Sequence, residues 1–149
     1  MTLYHATTKD HLPSILEHGL IINSPANWEG MYLASKLYFA FDPQVSIDYV
    51  ETSDTYDNKE IVVLKVDTKN LNIDNISYDW NNSCSRYNEI NSIAYSKSIS
   101  PEYIDIVEND EIDSLPPINF SDLLHMDNDA IEIYDKIYDT FCWYEVESN

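Results

Sequence analysis

Leu3-Tyr4-His5-Ala6-Thr7, read with Gly30-Met31-Tyr32-Leu33-Ala34 downstream, is the pairing on which the reading of this chain turns. Each run places an imidazole or phenol ring on a predicted strand, beside very small side chains. Two such rings next to small residues can make a slot for a flat guest, and nicotinamide is a ring of that kind. The first strand is expected over residues 2–6 and the second over residues 30–34.

Working outward, Asp10 is positioned to cap a helix whose Leu12, Ile15 and Leu16 share one face, with Pro13 tolerated in the first turn. Gly19 is expected to end that helix as a left-handed cap. Asp42-Pro43 opens a second helix, with Asp42 as cap and Pro43 at the first helical position, carrying Val45, Ser46 and Tyr49. Residues 51–59 read as a polar loop, and Ile61 to Val66 as a buried strand. Residues 67–88, rich in Asn, Asp and Ser, read as loop, with Trp80 as an anchor. Ile90 to Tyr95 and Tyr103 to Val107 read as two more strands, separated by a turn at Ser100-Pro101. Residues 108–149 hold a dozen acids and one lysine, Lys136; Ala130, Tyr134, Ile137, Tyr138 and Phe141 follow helical spacing there. This divides the chain into a domain over residues 1–107 and an acidic C-terminal extension over residues 108–149 with an amphipathic helix.

Length and composition fit that layout. A chain of 149 residues with 44% hydrophobic residues makes one domain with a real core. The formal net charge is −19, from 27 acids against 8 bases, of which only Arg86 is an arginine. Such a surface repels phosphate backbones, so nucleic acid is disfavoured as a partner; it promotes solubility and favours cationic partners. Cys84 and Cys142 lie far apart and form no metal-type spacing, as expected of two free thiols in a reducing cytosol. A strand opening at residue 2 leaves no room for a signal peptide, and no apolar run approaches the ~20 residues of a membrane span. The expectation is a cytoplasmic protein without membrane association, in a bacterial or viral setting.

The ordered set is strand, His5, the small Ala6, Thr7, a helix ending in Gly19-Leu20, Tyr32-Leu33-Ala34, then Ser46-x-x-Tyr49. It resembles the ADP-ribosyltransferase superfamily, in the diphtheria-toxin and poly(ADP-ribose) polymerase branch with its His-Tyr-Glu trio, over residues 1–107. The resemblance implies an α+β fold of two packed, mostly antiparallel sheets forming an NAD cleft, with flanking helices and a C-terminal helix. It implies that His5 contacts and orients the NAD ribose, and that the backbone of Ala6, where the family usually has glycine, bonds the nicotinamide carboxamide. Thr7 completes the cofactor-binding strand, Tyr32 and Tyr49 sandwich the nicotinamide, and Ser46 bonds its amide. The separation of Tyr32 from Ser46 exceeds the usual one and implies an inserted loop around Lys36 to Phe41. Glu89, in Tyr87-Asn88-Glu89, is the expected catalytic acid beside His5 and Tyr32; aligned instead on Ile99-Ser100-Pro101, that slot falls nearer Asn91 or Ser92.

The chemistry stands apart from the family name. Breaking the nicotinamide–ribose bond develops positive charge on the sugar, and a nearby carboxylate stabilises it and orients the nucleophile. Aromatic faces with amide hydrogen bonds hold the nicotinamide while the ribose carbon moves. No metal is required. A second branch uses an Arg-Ser-Glu trio with paired glutamates; Glu145-Val146-Glu147 has the spacing but reads as a solvated tail, with no early arginine to accompany it. RNA 2'-phosphotransferases need several basic groups, which one arginine does not supply. The function expected is a mono-ADP-ribosyltransferase that cleaves NAD and modifies a macromolecular acceptor, a protein with a basic face. The alternatives are a non-catalytic acidic module that mimics nucleic acid on the same scaffold, and an NAD glycohydrolase.

Overall fold

Seven residues, all but Leu3 with small, β-branched or ring-bearing side chains, Thr2–Thr8, form the first strand, β1, and all but Thr2 are buried. The structure, a computed structural model, describes residues 1–22, 33–34, 36–52, 57–79, 92–114 and 120–148; of these, residues 33–34, 120–121, 126 and 140–148 are described by backbone alone. After β1 come α1 (Leu12–His18), β2 (Ile21–Ile22), β3 (Leu33–Ala34), β4 (Leu37–Ala40), α2 (Pro43–Glu51) and β5 (Ile61–Asp67). Then follow β6 (Ile76–Tyr78), β7 (Ser92–Tyr95), β8 (Asp105–Val107), α3 (Asn109–Ser114), α4 (Phe120–Met126) and α5 (Asn128–Ser148). The fold is α+β. Six strands make one antiparallel sheet in the order β6-β7-β4-β1-β5-β8, and β2 pairs with β3 in a separate parallel ribbon. Among the described residues no helix is long and apolar enough to cross a membrane.

Strand alternation divides the core between the two sheet faces. One face collects Leu3, Leu37, Phe39, Leu64, Val66, Ile93 and Tyr95 against Ile15 of α1 and Ala130, Ile133 and Ile137 of α5. Burying each large aliphatic or aromatic side chain here contributes about 1.5–3 kcal/mol. The other face is smaller: Tyr4, Ala6, Val63 and Val107, covered by Ile47 and Val50 of α2 and Ile112 of α3. On α5, the helical spacing read from the sequence puts Ala130 and Ile137 in the core, Tyr134 at its margin and Tyr138 outside. Among the described side chains of α5, Ile133 also reaches the core.

Two expected helix ends are in place, although Gly19 closes α1 at φ 85 and ψ −168, an extended glycine conformation rather than a left-handed helical cap. Asp42 caps α2, its carboxylate accepting from the Gln44 N–H at 2.7 Å, with Pro43 in the first turn. Gly19 has φ +85, and a Cβ there would collide with the Ile99 carbonyl oxygen. That close approach lets Leu20 and Ile99 exchange backbone bonds of 3.0 and 2.9 Å.

Others are corrected. Asp10 does not cap α1: residues Lys9–His11 form a 3-10 turn, so α1 starts at Leu12 and the cap position falls on His11. Asp10 instead lies in that turn, where the Thr8 hydroxyl and Lys59 hold its carboxyl down at about 2. The segment Lys36 to Phe41 is no inserted loop. Leu37 and Phe39 are wholly buried, and β4 is a central strand of the sheet. The stretch 67–88 is not all loop, since Ile76 and Tyr78 alternate into the core as β6 after two 3-10 turns. Residues Pro101–Tyr103 form a further 3-10 turn, and the strand expected from Tyr103 begins at Asp105.

Candidate functional site

The two flanks of β1 differ. Toward β5 every residue has a partner, from Thr2 opposite Asp67 to Thr8 opposite Ile61. Toward β4 only Tyr4 pairs, opposite Ala40. Carried on, the antiparallel register would set His5 opposite Phe39 and Ala6 opposite Tyr38, but no backbone ladder forms there. A side chain spans the gap instead. The His5 ring lies 2.7 Å through Nδ1 from the Tyr38 carbonyl oxygen, with its centroid 5.6 Å from that of Phe39. A carbonyl only accepts, so Nδ1 carries the hydrogen and donates. Burial pushes the imidazole below its ordinary value, an effect the Tyr38 bond partly offsets, and this favours the neutral ring.

Alternation fixes what each face presents. His5 shares its side of β1 with Leu3 and Thr7, facing the larger core. Ala6 points the other way, toward α2. Ser46 is buried on α2, its hydroxyl donating to the Pro43 carbonyl at 2.6 Å. Tyr49, one turn further along, is half-buried, with its hydroxyl 3.5 Å from Ser92 Oγ. The structure therefore brings Ala6, Ser46 and Tyr49 to one side of the sheet and His5 and Thr7 to the other. His5 and Tyr49 do not wall a common slot; His5 closes the seam between β1 and β4. Thr7 Oγ1 contacts His11 Nδ1 at 3.1 Å, at the open end of β1.

Tyr32, Glu89 and Asn91 lie outside the described residues. Ser92 is wholly buried, and its hydroxyl donates to Asp79 at 2.6 Å, so the residue that shares the alternative acid register is a link within the core. Two side chains were passed over in the sequence. Tyr38 alternates with the core residues Leu37 and Phe39, which turns it to the side of α2, with Tyr49 and Ser46. Its signal was the short apolar run Leu37-Tyr38-Phe39-Ala40 immediately ahead of the Asp42 cap. Asp79, wholly buried and bonded to Ser92, carried no sequence signal, because it sits among the many Asn, Asp and Ser residues of the stretch 67–88.

No protein-family model matches this chain, and no curated protein matches it either. A separate groove of about 320 Å³ runs between the turns over residues 68–75 and α5, with Lys69, Asn72, Asp129 and Glu132 among its walls.

Proposed function

We propose that the chain is a mono-ADP-ribosyltransferase with its NAD site at the seam between β1 and β4. The observation that carries this reading is the seam itself. A central antiparallel pairing has shrunk to one residue pair, and a histidine side chain does the joining. The seam lies at the middle of the single six-stranded sheet, with β6-β7-β4 on one side and β1-β5-β8 on the other, and we read this weak joint as the place of the cleft implied by the resemblance. A fully laddered central seam would leave no edge groups of β1 for a ligand to reach.

In this reading NAD is the substrate. The backbone of Ala6 bonds the nicotinamide carboxamide beside Ser46, and Tyr49 forms one wall of the ring slot. Tyr38, on the same side of the sheet, is the candidate for the opposite wall alongside Tyr32. His5, on the opposite face of β1, acts by pinning the seam to Tyr38, and Thr7 lies on that face at the open end of the strand. Glu89 remains the candidate acid, stabilising the positive charge that develops on the sugar. Holding nicotinamide while the ribose carbon moves to the nucleophile accounts for aromatic walls close to a carboxylate. The acidic surface favours a protein acceptor with a basic face over a nucleic acid.

The test is incubation with labelled NAD and a cell lysate. Wild-type protein is expected to label protein acceptors, and His5→Ala and Glu89→Ala are expected to abolish labelling. Free ADP-ribose accumulating without labelled protein would reassign the chain as an NAD glycohydrolase. Absence of any NAD turnover would leave the scaffold to a non-catalytic acidic module.

A further inference from the structure

We propose that Asp79 is a positioning residue which, acting through Ser92, holds the Tyr49 phenol in place on the α2 side of the sheet. The proposal rests on the reading of Tyr49 as a nicotinamide wall and adds to it a residue that does not touch the ligand.

The geometry is a directional chain. Asp79 directly follows β6, Ser92 opens β7, and both side chains are wholly buried. Ser92 pairs with Ala40 of β4, and Ile93 and Tyr95 turn into the larger core. Its hydroxyl therefore faces α2. A carboxylate only accepts hydrogen bonds, so the single hydrogen of Ser92 is committed to Asp79 Oδ2, at 2.6 Å, a charge-assisted length. That leaves the lone pairs of Ser92 Oγ to accept, and Tyr49 Oη faces them as a donor at 3.5 Å, the outer limit of a hydrogen bond. With Asp79 in place each hydroxyl has one favoured direction. Without it, Ser92 can turn its hydrogen toward Tyr49, and the phenol loses its acceptor. A ring fixed before the ligand arrives spares the ordering cost of binding.

The chain also has an electrostatic signature. Burial pushes the Tyr49 phenol above its ordinary value; the Ser92 bond opposes this, and the charges of Asp79 and Asp48 reinforce it. Removing the Asp79 charge alone must therefore move the Tyr49 titration to lower pH.

The experiment uses the full-length chain with ring-labelled tyrosine, and Tyr49→Phe identifies the Tyr49 signal. In Asp79→Asn, which keeps an acceptor oxygen for Ser92, the Tyr49 phenol is expected to titrate at lower pH than in wild type. Nicotinamide affinity is expected to stay within about twofold in that variant, because the geometry survives. In Asp79→Ala and Ser92→Ala the affinity is expected to fall about five- to tenfold. In a Tyr49→Phe background Asp79→Ala should cause no further loss. An unchanged Tyr49 titration in Asp79→Asn overturns the proposal, as does an equal loss from Asp79→Ala with or without the Tyr49 hydroxyl. Should Asp79→Ala fail to fold, the titration of the milder Asp79→Asn decides. If wild-type protein binds no nicotinamide, the transferase reading fails, and the titration alone decides whether the chain of bonds exists.

Discussion

The two flanks of β1 carry the same side chains and have opposite fates. Against β5 the strand is zipped along its whole length, with Leu3 opposite Val66, His5 opposite Leu64 and Ala6 opposite Val63. Against β4 it is held by one backbone pair and one imidazole. The difference teaches that the continuity of the sheet is built on the β5 side. On the β4 side the joint depends on one backbone pair and one side-chain bond. A backbone ladder distributes its strength over many groups, whereas a side-chain pin concentrates it in one.

The largest break comes from the zipped side. Leu64 is wholly buried on β5 within the larger core, and Leu64→Ala is expected to cost about 2–5 kcal/mol, read as a lowered midpoint in chemical denaturation. A variant that loses less than about 1 kcal/mol would mean that the β1–β5 flank does not carry the fold. The pinned side should yield less. His5→Ala removes one hydrogen bond and a buried ring, for an expected loss of about 1–3 kcal/mol in the same assay. A loss matching that of Leu64→Ala would erase the proposed contrast.

A third prediction sharpens the comparison through pH. Burial lowers the folded-state pKa of His5 below the ordinary histidine value. Between the two values the unfolded chain holds a proton that the folded chain does not, so stability rises with pH through about 6.5 and falls as the solution is acidified. His5→Gln is expected to flatten that window relative to wild type, and the difference between the two curves isolates His5 from the other three histidines. An unchanged slope would show that the seam histidine is not buried as a neutral ring.

Much of the sheet could be read in advance, and the reasons are local. β1 and β5 are long enough for their side-chain pattern to show, and α2 announces itself through the Asp42-Pro43 cap. The seam could not be read, because β4 has four residues and its central role depends on β7 and β1, both distant in sequence. Linking Tyr32 to Ser46 across that strand turned it into a supposed insertion. β6 was hidden because Ile76 and Tyr78 are the two buried residues of a short strand in an otherwise polar run. Ala6, Ser46 and Tyr49, the residues implied by the resemblance, lie on one side of the sheet. That His5 faces away from Tyr49 follows from strand parity and helix placement together, and only the second of these needs the tertiary structure. Asp79 shows no pattern, since its role comes from Ser92, which folding brings to it.

The smallest predicted effect lies at the open end of the seam. Thr8 and Lys59 hold the exposed Asp10 carboxyl at about 2. Because the folded value is depressed, this contribution to stability is present above the unfolded value near 3.9 and fades as pH falls toward 2. Thr8→Val is expected to move the Asp10 carboxyl upward in a carbon-detected titration and to remove a small, solvent-screened part of the stability present at neutral pH. An Asp10 carboxyl that stays in place would mean that Thr8 does not hold it.

The most direct test of the seam as the NAD site is amide hydrogen exchange with and without NAD. Protection is expected to gather on Ala6 of β1, whose backbone groups face away from β5, on Tyr38 of β4 and on Ser46 to Tyr49 of α2, with the β1–β5 ladder unchanged. Protection confined to the groove between Lys69 and Glu132, or no protection anywhere, would contradict the account.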